Sequence, residues 1–142
     1  MECKYCGYGE FYSNYDRRET GDQSFENVKL LVDYLTKLWC SDYNVSHKNE
    51  ITIGFYGGGP LLNMKLVKET IAYIESLNLP SLIFNYNTTT NAMLLDRYMD
   101  YLVEKNFSIL ISLDGNEVQS AYRVDKHGNS SCLLYTSPSP RD

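Results

Sequence analysis

Residues 51–60 read ITIGFYGGGP, and this stretch decides the fold. It begins with residues suited to a strand and stops at three glycines and a proline. Short apolar runs bounded by Gly and Pro are typical of buried strands. Two similar runs follow, LIFNY at 82–86 and FSILISL at 107–113. We predict a strand in each, and their nearly continuous apolar character predicts that both faces of the sheet are covered.

Amphipathic helices separate these runs. Ser24 can cap a helix that extends to Trp39, and Asn63 can cap a second helix. A third helix is predicted over about residues 94–105, whereas NTTTNA at 87–92 is predicted to be a loop. Strands that alternate with helices predict parallel βα units, so the expected fold class is α/β. On the first helix, the residues expected to face solvent are Glu26, Lys29, Asp33 and Lys37, opposite an apolar stripe that includes Leu31 and Leu38.

Polar and glycine-rich residues follow each predicted strand. GGGP follows the first strand, TTTN the second and Asp-Gly the third. In parallel α/β folds, ligands bind at the carboxyl ends of the strands. The pattern therefore predicts that the three loops meet at one edge of the sheet and form a ligand site there.

The composition is that of an ordinary globular protein. The chain has 142 residues, of which 43% are hydrophobic and 22% charged, enough for one domain with a core. A net charge of −5 provides no basic surface for nucleic acid. No apolar run is long enough to cross a bilayer, and no signal peptide precedes the first cysteine. We therefore expect a cytoplasmic protein with neither a nucleic-acid nor a membrane partner.

The C-terminal stretch CLLYTSPSPRD, residues 132–142, differs in composition from the sequence before it. It has no periodicity and contains a Ser-Pro-Ser-Pro run, which is typical of a disordered extension. The string also matches one reading frame of a widely used transposon-type sequencing adapter. We interpret residues 132–142 as translated adapter and not as natural sequence. The natural domain is then 1–131, with further sequence expected beyond it.

Cys3 and Cys6 form a C-x2-C pair near the N-terminus, for which four interpretations are open. The spacing can be a coincidence, or it can mark a thioredoxin-like redox pair, although a long loop follows it. It can be half of a zinc site, with Cys40, His47 and His127 as the available partners. It can also belong to an iron–sulfur cluster that lacks a ligand. We expect Cys40 to be a packed structural thiol.

An ordered set of motifs resembles the radical S-adenosylmethionine (SAM) enzymes. The motifs are CKYC, GFYGGGPLLN, TTTNAMLL, ISLDG and YRVDKHG, and they span nearly all of residues 3–131. The nearest likeness is to the SPASM-type maturases of peptides and proteins, which carry additional cysteine-rich C-terminal domains. The resemblance implies a truncated, partial (β/α)6 TIM-like barrel of the radical SAM type, with its first strand and its later strands missing.

The family signature is C-x3-C-x2-C with an aromatic residue before the last cysteine. Cys3, Tyr5 and Cys6 match its second half, which implies a first cysteine upstream of Met1. In the family, three thiolates hold a [4Fe-4S] cluster whose fourth iron binds SAM. A cluster held by two thiolates would be weakly bound, so we expect the chain to be inactive as it stands.

The resemblance also implies a SAM pocket. Its residues would be Tyr5, Gly57, Gly58, Gly59, Pro60, Thr90, Asn91, Ser112, Asp114 and Arg123. The glycine stretch corresponds to the GGEP element of the family, which meets the methionine amino group, but Gly59 stands where the family usually has Glu. Arg123 is expected to contact a carboxylate, because a planar guanidinium binds carboxylates in a bidentate manner.

The resemblance implies an enzyme that reductively cleaves SAM in order to modify a peptide or protein. Its electrons would come from a flavodoxin or a ferredoxin. The rival hypothesis is a non-catalytic α/β binding module that carries a zinc or thiol pair at Cys3 and Cys6.

Overall fold

The structure is a computed structural model that describes residues 21–115 and 118–124. The chain divides after Ile111 into two compact units. The first is Thr20–Ile111. The described part of the second consists of residues 112–115 and 118–124.

The first unit alternates helices with the strands of a parallel sheet. The helices are α1 Phe25–Trp39, α2 Met64–Ser76 and α3 Leu95–Glu104, and the strands are β1 Glu50–Phe55, β2 Ile83–Thr90 and β3 Ser108–Ile111. The sheet order is β1-β2-β3, and both pairings are parallel. This arrangement confirms the predicted α/β class.

The two predicted helix caps are confirmed. The Ser24 hydroxyl accepts a hydrogen bond from the Asn27 N–H at 3.3 Å, so α1 begins at Phe25. The Asn63 carboxamide oxygen accepts one from the Leu66 N–H at 3.2 Å, so α2 begins at Met64. Each cap satisfies a backbone donor that has no partner within its own helix.

The second strand is longer than predicted. Residues 87–92 were expected to form a loop, but β2 continues through Thr90. Its last four residues pair with all of β3, from Asn87 opposite Ser108 to Thr90 opposite Ile111. Threonine is β-branched and favours strands, and β3 supplies the partner that makes the extension stable. The third strand is shorter than predicted and ends at Ile111 instead of residue 113.

The hydrophobic core lies between the helices and one face of the sheet. Its buried residues are Val32, Leu61, Met64, Val67, Ile71, Ile74, Tyr86 and Leu102. The other face includes Ile83, which is 54% exposed, and Leu110, which is 64% exposed. The prediction that both faces are covered is therefore wrong for this unit. Alternation along each strand places Thr52, Asn85 and Asn87 on the exposed face as well.

Gly54 leaves room for a side chain of the neighbouring strand on this exposed face. It lies opposite Asn87 in the register of β1 and β2. A Cβ atom at position 54 would lie only 2.8 Å from the Asn87 Oδ1. The carboxamide at position 87 therefore occupies space that any other residue at position 54 would need.

Helix α1 contacts α2 through residues that were expected to face solvent. Lys29 Nζ lies 2.7 Å from Asp33 Oδ2 and 4.8 Å from the centroid of the Tyr73 ring. The Tyr73 hydroxyl donates a hydrogen bond to Asp33. Leu31 and Leu38, which were expected to pack inward, are 56% and 40% exposed. Val32 is buried in the core and Val28 packs against it, as predicted. The amphipathic pattern therefore identified the helix and the centre of its contact face, and it was wrong at Leu31 and Leu38.

The Lys29–Asp33–Tyr73 contact also changes the acidity of its carboxyl group. The hydrogen bond from Lys29, followed by the one from Tyr73, lowers the pKa of Asp33. Both donors stabilise the ionised carboxylate. The Asp33 carboxylate thus pairs with Lys29 on its own helix and accepts a hydrogen bond from Tyr73 on α2.

No helix within residues 21–115 or 118–124 combines the length and the apolar character needed for a membrane span.

Candidate functional site

The loop after β1 is shaped by its backbone. Gly57, Gly58 and Gly59 have φ angles of 88°, 60° and 87°, a region that L-residues with side chains rarely occupy. Pro60 then begins a short 3-10 turn, Pro60–Asn63, in which the Leu62 N–H donates to the Gly59 carbonyl at 2.9 Å. Glycine is needed here because the chain leaves the strand through three successive left-handed residues.

This loop presents backbone groups instead of side chains. Gly58 is exposed, and a Cβ atom added to it would meet nothing within 4 Å. A Cβ atom on Gly59 would lie 3.3 Å from the Leu62 Cδ1. Residues 57–60 contain no carboxylate, so an ammonium group bound by this loop would rely on its carbonyl oxygens.

The end of β2 is tied to the end of β1. The Thr88 hydroxyl donates a hydrogen bond to the Phe55 carbonyl oxygen at 3.2 Å, and these two residues are also partners in the parallel register. Thr88 is 2% exposed. Phe55 is the last residue of β1, and Thr88 lies two residues before the end of β2. The contact therefore brings the start of the glycine loop close to the end of β2. The predicted convergence of these two strand ends is confirmed.

Thr90 and Asn91 shape the turn that follows β2. The Thr90 hydroxyl accepts a hydrogen bond from the Ala92 N–H, and the Asn91 carboxamide oxygen accepts one from the Met93 N–H, both at 3.1 Å. Ala92 has a positive φ of 61°, which these two bonds help to hold. Thr90 is buried at 4% exposure, so its hydroxyl serves the turn. The predicted role of both residues as pocket lining remains a prediction.

The segment after β3 is held by a buried arginine. The Arg123 Nη1 donates to the Ser112 carbonyl oxygen at 2.6 Å, and its Nε lies 3.4 Å from the Asp114 Oδ2. Arg123 is 7% exposed. The structure therefore brings together three of the predicted site residues, Ser112, Asp114 and Arg123. This contact within the chain was not predicted, because the spacing of Arg123 from Ser112 and Asp114 does not distinguish it from a contact with a ligand.

The predicted metal ligands Cys3 and Cys6, and Tyr5 between them, lie outside the described residues. Within 21–115 and 118–124, no group of three or more His, Cys, Asp or Glu side chains is arranged to hold a metal ion. Cys40 was expected to be packed, but it is exposed at the end of α1, where the helix terminates against solvent.

Comparison with known proteins finds an archaeal relative that aligns with almost the whole chain. No protein-family profile matches the chain. An uncharacterized protein of the archaeon Methanocaldococcus jannaschii is 31% identical over 134 residues, which cover 94% of this chain and 41% of the relative. The chain thus spans about two fifths of the length of the curated relative it matches, and the similarity extends over almost all of its own sequence.

Proposed function

We propose that this chain is part of a radical SAM enzyme whose fold is a (β/α)6 TIM-like barrel. The observation that carries the proposal is the junction of two strand ends by the Thr88–Phe55 hydrogen bond of 3.2 Å. It places the open glycine loop beside the Thr-Asn turn, at the edge where parallel α/β proteins bind ligands. These are also the two segments that resemble the SAM-binding elements of the family.

The described residues are compatible with SAM at this edge. Residues 57–60 form a loop that is exposed at Gly58, and its carbonyl oxygens suit the ammonium group of the methionine moiety, although that of Gly59 already accepts from the Leu62 N–H. Gly59 contributes no carboxylate, so we expect weak binding at that point. Ser112 and Asp114 are further candidate SAM contacts by the resemblance alone.

The cluster ligands would be Cys3 and Cys6, together with a third thiolate. When bound, the [4Fe-4S] cluster and SAM supply one-electron cleavage of the sulfonium and a radical that removes a hydrogen atom from the substrate. The residues of the chain orient SAM and exclude water. We propose a peptide or protein as the substrate, a flavodoxin or ferredoxin as the electron donor, and the cytoplasm as the location, all on the resemblance to the maturases.

The test uses the protein expressed from its complete gene and reconstituted anaerobically with iron and sulfide. We expect iron–sulfur absorbance, together with release of 5′-deoxyadenosine from SAM under reduction. Cys3→Ser and Cys6→Ser should each abolish both signals. Cys40→Ser, which alters the exposed cysteine at the end of α1, should leave both unchanged. Stoichiometric zinc without iron–sulfur absorbance or SAM cleavage would instead favour the binding module.

A further inference from the structure

The Arg123 guanidinium is among the least exposed charged groups of the described chain. Its side chain is 8% exposed, and the Asp114 side chain is 23% exposed. Burial of a charge is costly unless the group is paired and hydrogen-bonded. Arg123 meets this requirement with a carbonyl oxygen at 2.6 Å and a carboxylate oxygen at 3.4 Å.

These two partners belong to one short segment. Ser112 and Asp114 immediately follow β3, and the next residue, Gly115, turns the chain with a φ of 107°. The 3-10 turn Gln119–Tyr122 then returns the chain to Arg123. A guanidinium carries five donors in a rigid fork, so it can fix a backbone carbonyl and a carboxylate at the same time. A lysine ammonium lacks this planar geometry.

We propose that Arg123 is a positioning residue that acts through Ser112 and Asp114 and not by contact with the cofactor. It fixes the backbone at Ser112 and the orientation of the Asp114 carboxylate. This assignment rests on the proposed function, because it states how these two residues are held ready for SAM. It differs from the SAM-pocket role that the resemblance implied for Arg123, because the carboxylate that Arg123 contacts is that of Asp114.

The first test does not require iron or SAM. Hydrogen exchange is measured by mass spectrometry on the complete protein, in peptides that cover residues 108–115. Arg123→Met should raise amide exchange there about tenfold, since hydrogen bonds to a charged group are lost. Arg123→Lys should raise it less. Arg97→Met removes an exposed arginine that lies over the Tyr98 ring and should leave exchange in this segment unchanged. Unchanged exchange in Arg123→Met would overturn the proposal.

The second test measures SAM binding to the reconstituted protein by equilibrium dialysis. Arg123→Met and Asp114→Asn should each weaken binding about tenfold, and the double variant should bind no more weakly than the worse single variant. Multiplied losses in the double variant would show that Arg123 contacts the ligand directly, and they would overturn the proposal. If the unmodified protein binds no SAM, the proposed function fails, while the exchange measurement still decides the role of Arg123.

Discussion

Two segments that follow strands of the same sheet are shaped by different means. The loop at 57–60 takes its form from three left-handed glycines, whereas Ser112 and Asp114 after β3 are held by the buried guanidinium of Arg123. The first depends on the absence of side chains and the second on the presence of one. A loop at a strand end can therefore be held either by its backbone conformation or by an internal ion pair. The two kinds of loop should be destabilised by different substitutions.

The largest effect is expected in the segment after β3. Arg123→Met should lower the free energy of unfolding by about 2 kcal/mol, because the Ser112 carbonyl loses its donor and the Asp114 carboxylate loses its partner. Urea denaturation measures the change. Arg97→Met is the matched control and should stay within about 0.5 kcal/mol of the unmodified protein. If the two variants were equally stable, the segment after β3 would not depend on the Arg123 guanidinium.

The glycine loop should respond to added side chains. Gly59→Ala should cost roughly 1–2 kcal/mol, because a residue with a φ of 87° is strained and its Cβ would contact Leu62. Gly58→Ala should cost about 1 kcal/mol, since its φ is positive but its surroundings are open. The loss of stability in the two variants is measured by thermal unfolding.

Gly21 is the control for these glycine substitutions. A Cβ atom at this position meets nothing within 4 Å, so Gly21→Ala should change stability by less than about 0.5 kcal/mol. If all three alanine variants were equally stable, the loop would not depend on its left-handed backbone.

A smaller effect is expected where the two strand ends join. Thr88→Val keeps a β-branched shape but removes the hydroxyl that donates to Phe55, and it should cost about 1 kcal/mol. Thr52→Val, at an exposed position on β1, serves as the control. In addition, we expect Thr88→Val to increase exchange in peptides that cover the glycine loop. A protected loop in this variant would show that the Thr88–Phe55 bond does not hold it.

The smallest effect concerns a contact at neither strand end. Tyr73→Phe removes a hydrogen bond to Asp33 and should raise the pKa of that carboxyl, while the Lys29 contact still holds it below its ordinary value of 3.8. Because the pKa of Asp33 is lowered by folding, its contribution to stability is present above the unfolded value. That contribution is lost as the pH falls through the folded value. Carboxyl NMR titration measures the shift. Tyr98→Phe is the control and should leave the pKa of Asp33 unchanged.

Local signals predicted the fold well. Ser24 and Asn63 predicted the starts of α1 and α2 correctly, because a capping side chain binds a backbone N–H only three residues further along the same helix. The end of β2 was missed because Asn87–Thr90 becomes a strand only through pairing with β3, which lies far along the sequence. The contact face of α1 was predicted at Val28 and Val32, which pack in the core. The additional contact of Lys29 and Asp33 with Tyr73 was missed, because a hydrophobic pattern assigns charged residues to solvent.

The candidate site was predicted by position more accurately than by role. The glycine loop and the Thr-Asn turn do lie at adjoining strand ends. Thr90 and Asn91, however, use their side-chain oxygens to hold a turn, and Arg123 is bound to its own chain. Sequence spacing places a residue near a site, but only three-dimensional contacts show whether its polar atoms are engaged within the protein.

Gly54 and Asn87 couple two strands through the conformation of one side chain. A Cβ atom at position 54 would come within 2.8 Å of the Asn87 Oδ1, which is the outer end of an exposed and flexible side chain. Alanine at position 54 is therefore accommodated by rotation of the carboxamide, or without adjustment where position 87 carries a smaller residue. The rotamer at position 87 thus depends on whether its partner in the register carries a side chain.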